Sequence, residues 1–335
     1  MKILIVTQNV DRTDPVLGFF HQWLEEFSRR AEQVVVVAQS ASDYHLPNNV
    51  IVESLGKEKG NALWQQVLRS YGLFWKYRKQ YDVVFVHMTP IWILIGAPLW
   101  IIFRKPMYLW YEIKRGSWKL SAALLLVKKV FAATPHGLPS ASKNLVVVGH
   151  GIDTNFFVEG AHEDKNLVVA IGRITHIKHY EVILRAFAQL PDTMRLCIAG
   201  GPITVADVQE EKRIHGLAQS LGIAQRIEMD WVVPTDVPAL LQKATLFLHA
   251  SQGGLDKALL QAMSTGCLSI STSSAAQSIL PDACQATENT MAEKANAMLQ
   301  LSASKKTALS TELHSIVVEH HSLSDCIEKM VCKMQ

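Results

Sequence analysis

Apolar residues along the chain alternate between short continuous runs and longer stretches in which they return every three or four positions. The runs read as strands and the stretches as helices. Lys2–Thr7 (KILIVT) is the first such strand, Gln8–Val16 a polar loop, and Leu17–Arg30 a helix with Leu17, Phe20, Trp23, Leu24 and Phe27 at helical spacing. The pattern continues with strands at Gln33–Ala38 and Asn49–Glu53, a helix at Ala62–Lys79, a strand at Val83–Met88 and a helix at Ile91–Phe103. Met107–Tyr111 is a strand, Trp118–Val130 a helix, and Phe131–Thr134 and Leu145–Val148 are short strands. Consecutive valines in the second strand fit a sheet covered on both faces.

The acidic, polar segment Glu159–Asn166 precedes a second series with the same alternation. Strands are expected at Leu167–Ile171, Arg195–Ala199, Arg226–Met229, Leu246–His249 and Cys267–Ser271. Helices are expected at Tyr180–Leu190, Val205–Leu221, Val237–Lys243 and Lys257–Met263, then near Met291–Leu301, Ala308–Glu319 and Leu323–Met334. Strands alternating with helices predict doubly wound parallel sheets, here two α/β domains facing a cleft. Ligands of such sheets bind at the carboxyl edges of the strands.

Composition narrows the picture. The chain has 335 residues, 49% hydrophobic and 19% charged, enough for about two globular domains. A net charge of +3 gives no footprint for nucleic acid. Five cysteines without a CxxC pair predict reduced thiols and a cytoplasmic setting. Met1 leads straight into a strand, so no signal peptide is expected. The apolar run Ile91–Phe103 contains Pro98 and falls short of the roughly 20 residues that a spanning helix needs.

Two stretches carry candidate chemistry. In Ser251–Met263 (SQGGLDKALLQAM) a strand ends, two glycines turn, and a helix opens with Ala258, Leu259, Ala262 and Met263 on its inner side. That places backbone N–H groups and a helix N-terminus at a strand's carboxyl edge, which suits a phosphate. In Gly172–Lys178 (GRITHIK), Arg173 and Lys178 follow another strand, and two cations there would neutralise a departing diphosphate. No GxGxxG follows the first strand, which argues against a nicotinamide enzyme. Ser251 lacks a G-x-S-x-G turn. No His/Cys/Asp/Glu group has metal spacing, so neither a metal nor a cofactor is expected.

Taken together these stretches resemble the GT-B glycosyltransferases of the large retaining family 4. Gly172, Arg173, Lys178, Ala186 and Phe187 match that family's G-R, lysine, A-F series in order, with His179 where a glycine is usual. Ala199–Pro202 (AGGP) resembles its glycine-rich turn, Gly149–Phe157 (GHGIDTNFF) its interdomain segment, and Met1–Gly18 its opening strand and glycine loop. The resemblance implies an acceptor domain over 1–155, a nucleotide-sugar domain over 156–320, and a last helix over 321–335 that packs back on the first domain. It implies transfer of a hexose, with retention, from a nucleotide-diphosphate sugar to a saccharide or lipid-linked acceptor. Arg173 and Lys178 would be catalytic; Gly172, Gly201, Gly253, Gly254, Leu255 and Gln261 would bind the donor. Gly18, His87, Glu112, Lys114 and His150 are the acceptor-side candidates.

The family usually has glutamates where this chain has Gly253 and Gln261, a proline at Asp256, and often a histidine near Glu112 or Ile113. A second reading follows: a GT-B scaffold that binds nucleotide sugar, glycan or a partner protein without turnover. His320 and His321 read as surface residues. Trp64, Trp75, Tyr77, Trp92, Trp100, Trp110 and Trp118 lie among Arg69, Lys76, Arg78, Lys79, Arg104, Lys105, Lys114, Arg115 and Lys119. That mixture predicts either a solvated helix face or a peripheral patch for the inner face of a membrane.

Overall fold

The computed structural model of the protein describes residues 1–14, 16–113, 116–140 and 142–335; the acceptor-side candidate Lys114, and Arg115, lie outside them. The chain forms two compact units, Met1–Gly151 with Ser322–Gln335, and Ile152–His321. Each is a parallel sheet flanked by helices, a Rossmann-like α/β architecture.

The first unit contains β1 (Lys2–Val10), α1 (Phe19–Arg30), β2 (Gln33–Ala41), β3 (Val50–Ser54), α2 (Leu63–Lys76) and β4 (Val83–His87). It continues with α3 (Ile91–Ile102), β5 (Met107–Trp110), α4 (Trp118–Leu124), β6 (Lys129–Ala132) and β7 (Leu145–Val147). The sheet order is β3-β2-β1-β4-β5-β6-β7, with parallel ladders throughout. Side chains of a strand point to alternate faces. Val34 and Val36 therefore join the core built on α1, while Val35 and Val37 join the core built on α2, α3 and α4. Ile3 and Ile5 divide from Leu4 and Val6 in the same way.

The second unit contains β8 (Asp164–Ile171), α5 (Tyr180–Phe187), β9 (Arg195–Ala199), α6 (Val205–Ser220), β10 (Ile227–Asp230) and α7 (Val237–Lys243). Then come β11 (Ala244–His249), α8 (Lys257–Ser264), β12 (Ser269–Ser271), α9 (Ser274–Gln277), α10 (Met291–Leu299) and α11 (Ala303–His321). Its sheet order is β10-β9-β8-β11-β12, also parallel. The last helix, α12 (Leu323–Met334), returns to the first unit, where Leu323, Ile327, Met330 and Val331 share a core with Trp23 and Phe27.

Several elements differ from the sequence pattern. Gln8–Val10, expected in a polar loop, are strand, because Asn9 and Val10 pair with Ser40 and Ala41, and Ser40 Oγ donates to Asn9 Oδ1 at 2.9 Å. The expected helix Trp118–Val130 stops at Leu124; Lys128 N already donates to Met107 O at 2.8 Å, and Val130 lies in β6. Within the polar stretch Glu159–Asn166, residues from Asp164 onward belong to β8, with Asp164 held by Arg195 at 2.7 Å. His321 is buried, not a surface residue, and its carbonyl accepts Ile152 N at 2.8 Å. The tryptophans divide. Trp92, Trp100 and Trp110 are core residues, as is Tyr77, while Trp64, Trp75 and Trp118 are exposed.

Packing of α12 into the first unit gives a test. Ile327→Ala should lower the stability of that unit by about 2–5 kcal/mol, since Ile327 is fully buried. Val318→Ala, on the half-exposed side of α11, should change stability by less than about 0.5 kcal/mol. Urea unfolding followed by tryptophan fluorescence measures both; equal effects would contradict the packing.

Candidate functional site

The order of the second sheet reverses at β8. The chain moves from β8 to β9 and β10 on one side, then returns to place β11 on the other. At such a reversal the loops leaving two adjacent strands diverge and leave a crevice at their carboxyl ends. Here those loops are Gly172–His179, leading into α5, and Ala250–Asp256, leading into α8. They touch: Gln252 N donates to Ile177 O at 3.0 Å. The two stretches singled out from sequence are therefore neighbours at the switch point.

Close backbone approach explains the glycines. Gly172 has a φ of 139° and its carbonyl accepts the Tyr180 hydroxyl at 2.6 Å. A Cβ on Gly200 would lie 2.1 Å from Gly172 O, so any side chain there would push the β8 and β9 loops apart. A Cβ on Gly201 would lie 2.3 Å from the Trp231 indole nitrogen. Gly253 is different. A Cβ there would make only ordinary contacts, at 3.8 Å to Ile177 Cγ2 and Ser251 Oγ, so a larger side chain fits. Gly254 continues that turn, and Leu255 is buried beneath it. His179 has a φ of 48°, the left-handed region. That conformation accounts for a glycine being usual at this position, and a histidine tolerates it at modest cost.

The charges are arranged in pairs. Lys178 Nζ donates to Asp256 Oδ2. The same carboxylate oxygen lies 3.2 Å from His249 Nε2, at the end of β11, while Asp256 Oδ1 caps α8 by accepting Ala258 N at 3.1 Å. A carboxylate only accepts, so the ring proton sits on Nε2. His249 Nδ1 then faces Ser271 Oγ at 2.8 Å, and that oxygen also accepts Ser273 N. Burial works against ionisation of Asp256, yet the Lys178 charge and the His249 hydrogen bond hold its carboxyl well below the usual range.

Arg173 is nearly half exposed, its Nε 3.8 Å from Asp207 Oδ2. Asp207 belongs to the capping box of α6, accepting Thr204 N at 2.9 Å and Ile203 N at 3.1 Å. Burial opposes the Asp207 charge too, but these backbone bonds and Arg173 lower its pKa. The two histidines of the loop are held likewise, His176 by buried Glu210 at 3.0 Å and His179 by Glu181 at 3.2 Å. Arg213 bridges both glutamates. Gln261 is half-buried on α8, and its amide makes no hydrogen bond among the described residues.

Of the acceptor-side candidates in the first unit, Gly18 and His87 lie at the β1/β4 reversal of its sheet, while Glu112 follows β5 and His150 follows β7. His87 ends β4, is buried, stacks on Phe20 at 4.2 Å and lies 3.4 Å from Thr7 Oγ1. Trp110 pairs with it across the sheet and stands 6.3 Å from the ring of His150. Gly18 sits at the start of α1, where a Cβ would meet Asp14 O at 2.6 Å. Glu112 points at the loop after β6, accepting Ala133 N at 2.6 Å.

Sequence reasoning gave no role to His249, Ser271 or Asp207, and saw Asp256 only as a replaced proline. A carboxylate just ahead of a helix after a glycine turn, and T-x-x-D at Thr204–Asp207, were the available signals. Among the described residues no cluster of His, Cys, Asp and Glu could hold a metal.

Comparison with known proteins adds a family match over part of the chain. Residues 151–300 match the family model of glycosyl transferases group 1. A D-inositol 3-phosphate glycosyltransferase of Mycolicibacterium smegmatis is 31% identical over 115 residues, 31% of this chain. The chain spans about a quarter of that relative's length, 26%. Among solved structures, HepE of Anabaena, in complex with UDP and glucose, is similar with a TM-score of 0.77 at 17% identity, covering 100% of this chain and 99% of the other. TarM of S. aureus, in complex with Fondaparinux, α-GlcNAc-glycerol and UDP, has a TM-score of 0.71 at 9% identity and covers 100% of both chains. The chain thus has the GT-B fold, and the part of it from residue 151 to 300 is similar to the group 1 glycosyltransferases.

Proposed function

We propose that this protein transfers a hexose from a nucleotide-diphosphate sugar, with retention, to a hydroxyl of a saccharide or lipid-linked acceptor. The observation that carries the reading is the meeting of the Arg173–Lys178 loop and the α8 N-terminus at the β8/β11 switch point. The UDP in the HepE and TarM structures supports a nucleoside diphosphate as the ligand of this edge. The first unit takes the acceptor.

In this reading Lys178 and Arg173 hold the diphosphate, with backbone N–H groups of Gly253–Leu255 and the α8 N-terminus completing the anion site. Lys178 changes partner from Asp256 to phosphate, while Asp256 keeps its helix cap and His249. Gln261 offers its amide oxygen to the ribose. The bond between the anomeric carbon and the diphosphate oxygen breaks, and its electron pair stays on that oxygen beside the two cations. The acceptor hydroxyl forms the new bond on the same face and gives its proton to the departing diphosphate. Incubation with a panel of nucleotide sugars and acceptors, read by nucleoside diphosphate release and by NMR of the anomeric centre, tests this. No release across the panel, or an inverted product, would overturn it.

Two binding predictions follow from the charge arrangement. Arg173→Ala and Lys178→Ala should each weaken nucleoside diphosphate binding in calorimetry by about 1.5–3 kcal/mol, a factor of roughly 10 to 150. Unchanged affinity in both variants would remove the phosphate assignment.

Asp256→Asn keeps a cap for α8 but removes the anion that competes for Lys178. It should tighten diphosphate binding and lower the thermal stability of the ligand-free protein, because Lys178 is then mostly buried without a counter-charge. A depressed carboxyl pKa stabilises the fold above the ordinary value near about 4, and that contribution is lost as pH falls towards the folded value. The variant should therefore lose less stability than wild type below about pH 4. Weaker diphosphate binding in Asp256→Asn would contradict the competition.

A further inference from the structure

Helices α2, α3 and α4 cover one face of the first sheet, and their outer surface is unusually apolar for a face without a partner. On α2 the residues Trp64, Leu68, Tyr71 and Trp75 form one exposed stripe at helical spacing, while the core-facing side carries Gln66 and Ser70 beside Leu73 and Phe74. The Trp75 ring meets Phe103, just past the end of α3, at 5.5 Å. Next to it Ile101 and Ile102 are 57% and 72% exposed. On α4, which packs on α3, Trp118 is 69% exposed, and Leu125 just beyond that helix is 87% exposed. Exposed apolar residues in this number on three helices packed side by side mark an interaction site.

Charge decides what covers it. Between Leu63 and Ile152 the acidic residues are Asp82 and Glu112, against twelve lysines and arginines. Glu112 is turned inward onto the Ala133 amide, and Lys76 is paired with Glu53 at 2.8 Å. Arg69, Lys79, Arg104 and Lys119 are exposed; Arg69 shares the field of Glu53, which Lys76 already pairs, and none of the four makes an ion pair within 4.0 Å among the described residues. Arg78 lies over the Trp75 ring at 4.4 Å. A second copy of the chain set against this face would bring like charges together. Indole rings and aliphatic side chains ringed by arginine and lysine match the layer of a bilayer where acyl chains meet anionic headgroups. No helix among the described residues is long and apolar enough to cross a membrane, so the contact is with the surface.

We propose that the outer face of α2, α3 and α4 docks on an anionic lipid surface, with Trp64, Leu68, Ile102 and Trp118 entering the headgroup layer and Arg69, Lys79, Arg104 and Lys119 meeting lipid phosphates. The proposal is independent of the reaction assigned above.

Sedimentation with vesicles of phosphatidylcholine alone, and of phosphatidylcholine mixed with phosphatidylglycerol, tests it on the full chain. The protein should pellet with the mixed vesicles, less so as salt is raised, and remain in solution with phosphatidylcholine alone. Trp64→Ser with Leu68→Ser should reduce partitioning by about tenfold or more, since affinity scales with the apolar area buried. Arg69→Glu with Lys79→Glu should do the same at low salt only. All four side chains are solvent-exposed, so circular dichroism melting should show folded variants. Val205→Ser, 80% exposed in the second unit, should leave partitioning unchanged. Equal recovery in the supernatant with and without anionic vesicles overturns the proposal. So does a dimer in sizing experiments that the Trp64→Ser, Leu68→Ser variant dissociates, which would assign the face to a second copy.

Discussion

An ammonium group largely withdrawn from water needs a negative charge beside it, and Lys178 finds one in Asp256. Both side chains are mostly shielded from solvent, and each stands on a different loop. Their attraction ties the end of the β8 loop to the start of α8, next to the main-chain bond from Gln252 to Ile177. Because β8 and β11 are adjacent but their following helices diverge, this tie sits at the one place where the second sheet opens at its carboxyl edge. In the proposed diphosphate site an arriving anion meets a cation already in position, and the ordering cost of the lysine side chain has been met in folding.

The rest of the loop is held by the same device. Arg173, His176 and His179 each face a carboxylate, from Asp207, Glu210 and Glu181 respectively. Glu210 is kept ionised chiefly by its hydrogen bonds to Arg213, against the effect of its burial. Gly200 brings the β9 loop against Gly172 so that no side chain intervenes. The shape of Gly172–His179 is thus set by the protein itself. The cations nevertheless differ: Arg173 is nearly half exposed and its contact is long, whereas Lys178 is shielded and closely paired. Under the proposed assignment, Lys178 is the group whose partner changes when a diphosphate binds.

How far the sequence discloses this follows from the same physics. A parallel sheet buried on both faces prints itself as continuous apolar runs and its covering helices as apolar residues three or four apart, so β9, α7 and α12 can be read to the residue. It prints nothing where the paired residues are polar, and β1 accordingly runs past its apolar part through Gln8 and Asn9. The helix α4 ends inside an apolar run because Val127 turns into the core and the chain rejoins the sheet at Lys129, a tertiary effect without a local signal. Arg173, Lys178 and the α8 turn are legible as strand-end motifs. The His249–Asp256–Ser271 group is not, since Ser271 reaches His249 only because β12 lies beside β11. The division of the tryptophans into buried and exposed sets is equally hidden, because α2 turns Gln66 and Ser70 inward and its tryptophans outward.

The central claim is that the switch point of the second sheet is a diphosphate site whose lysine is held in waiting by Asp256. A crystal structure of the protein with a bound nucleoside diphosphate tests it most directly. The account predicts diphosphate oxygens within about 2.7–3.2 Å of Lys178 Nζ and of the Arg173 guanidinium, with Lys178 moved off Asp256 and His249 still on it. A diphosphate bound elsewhere on the chain, or bound there with Lys178 still on Asp256, would contradict it.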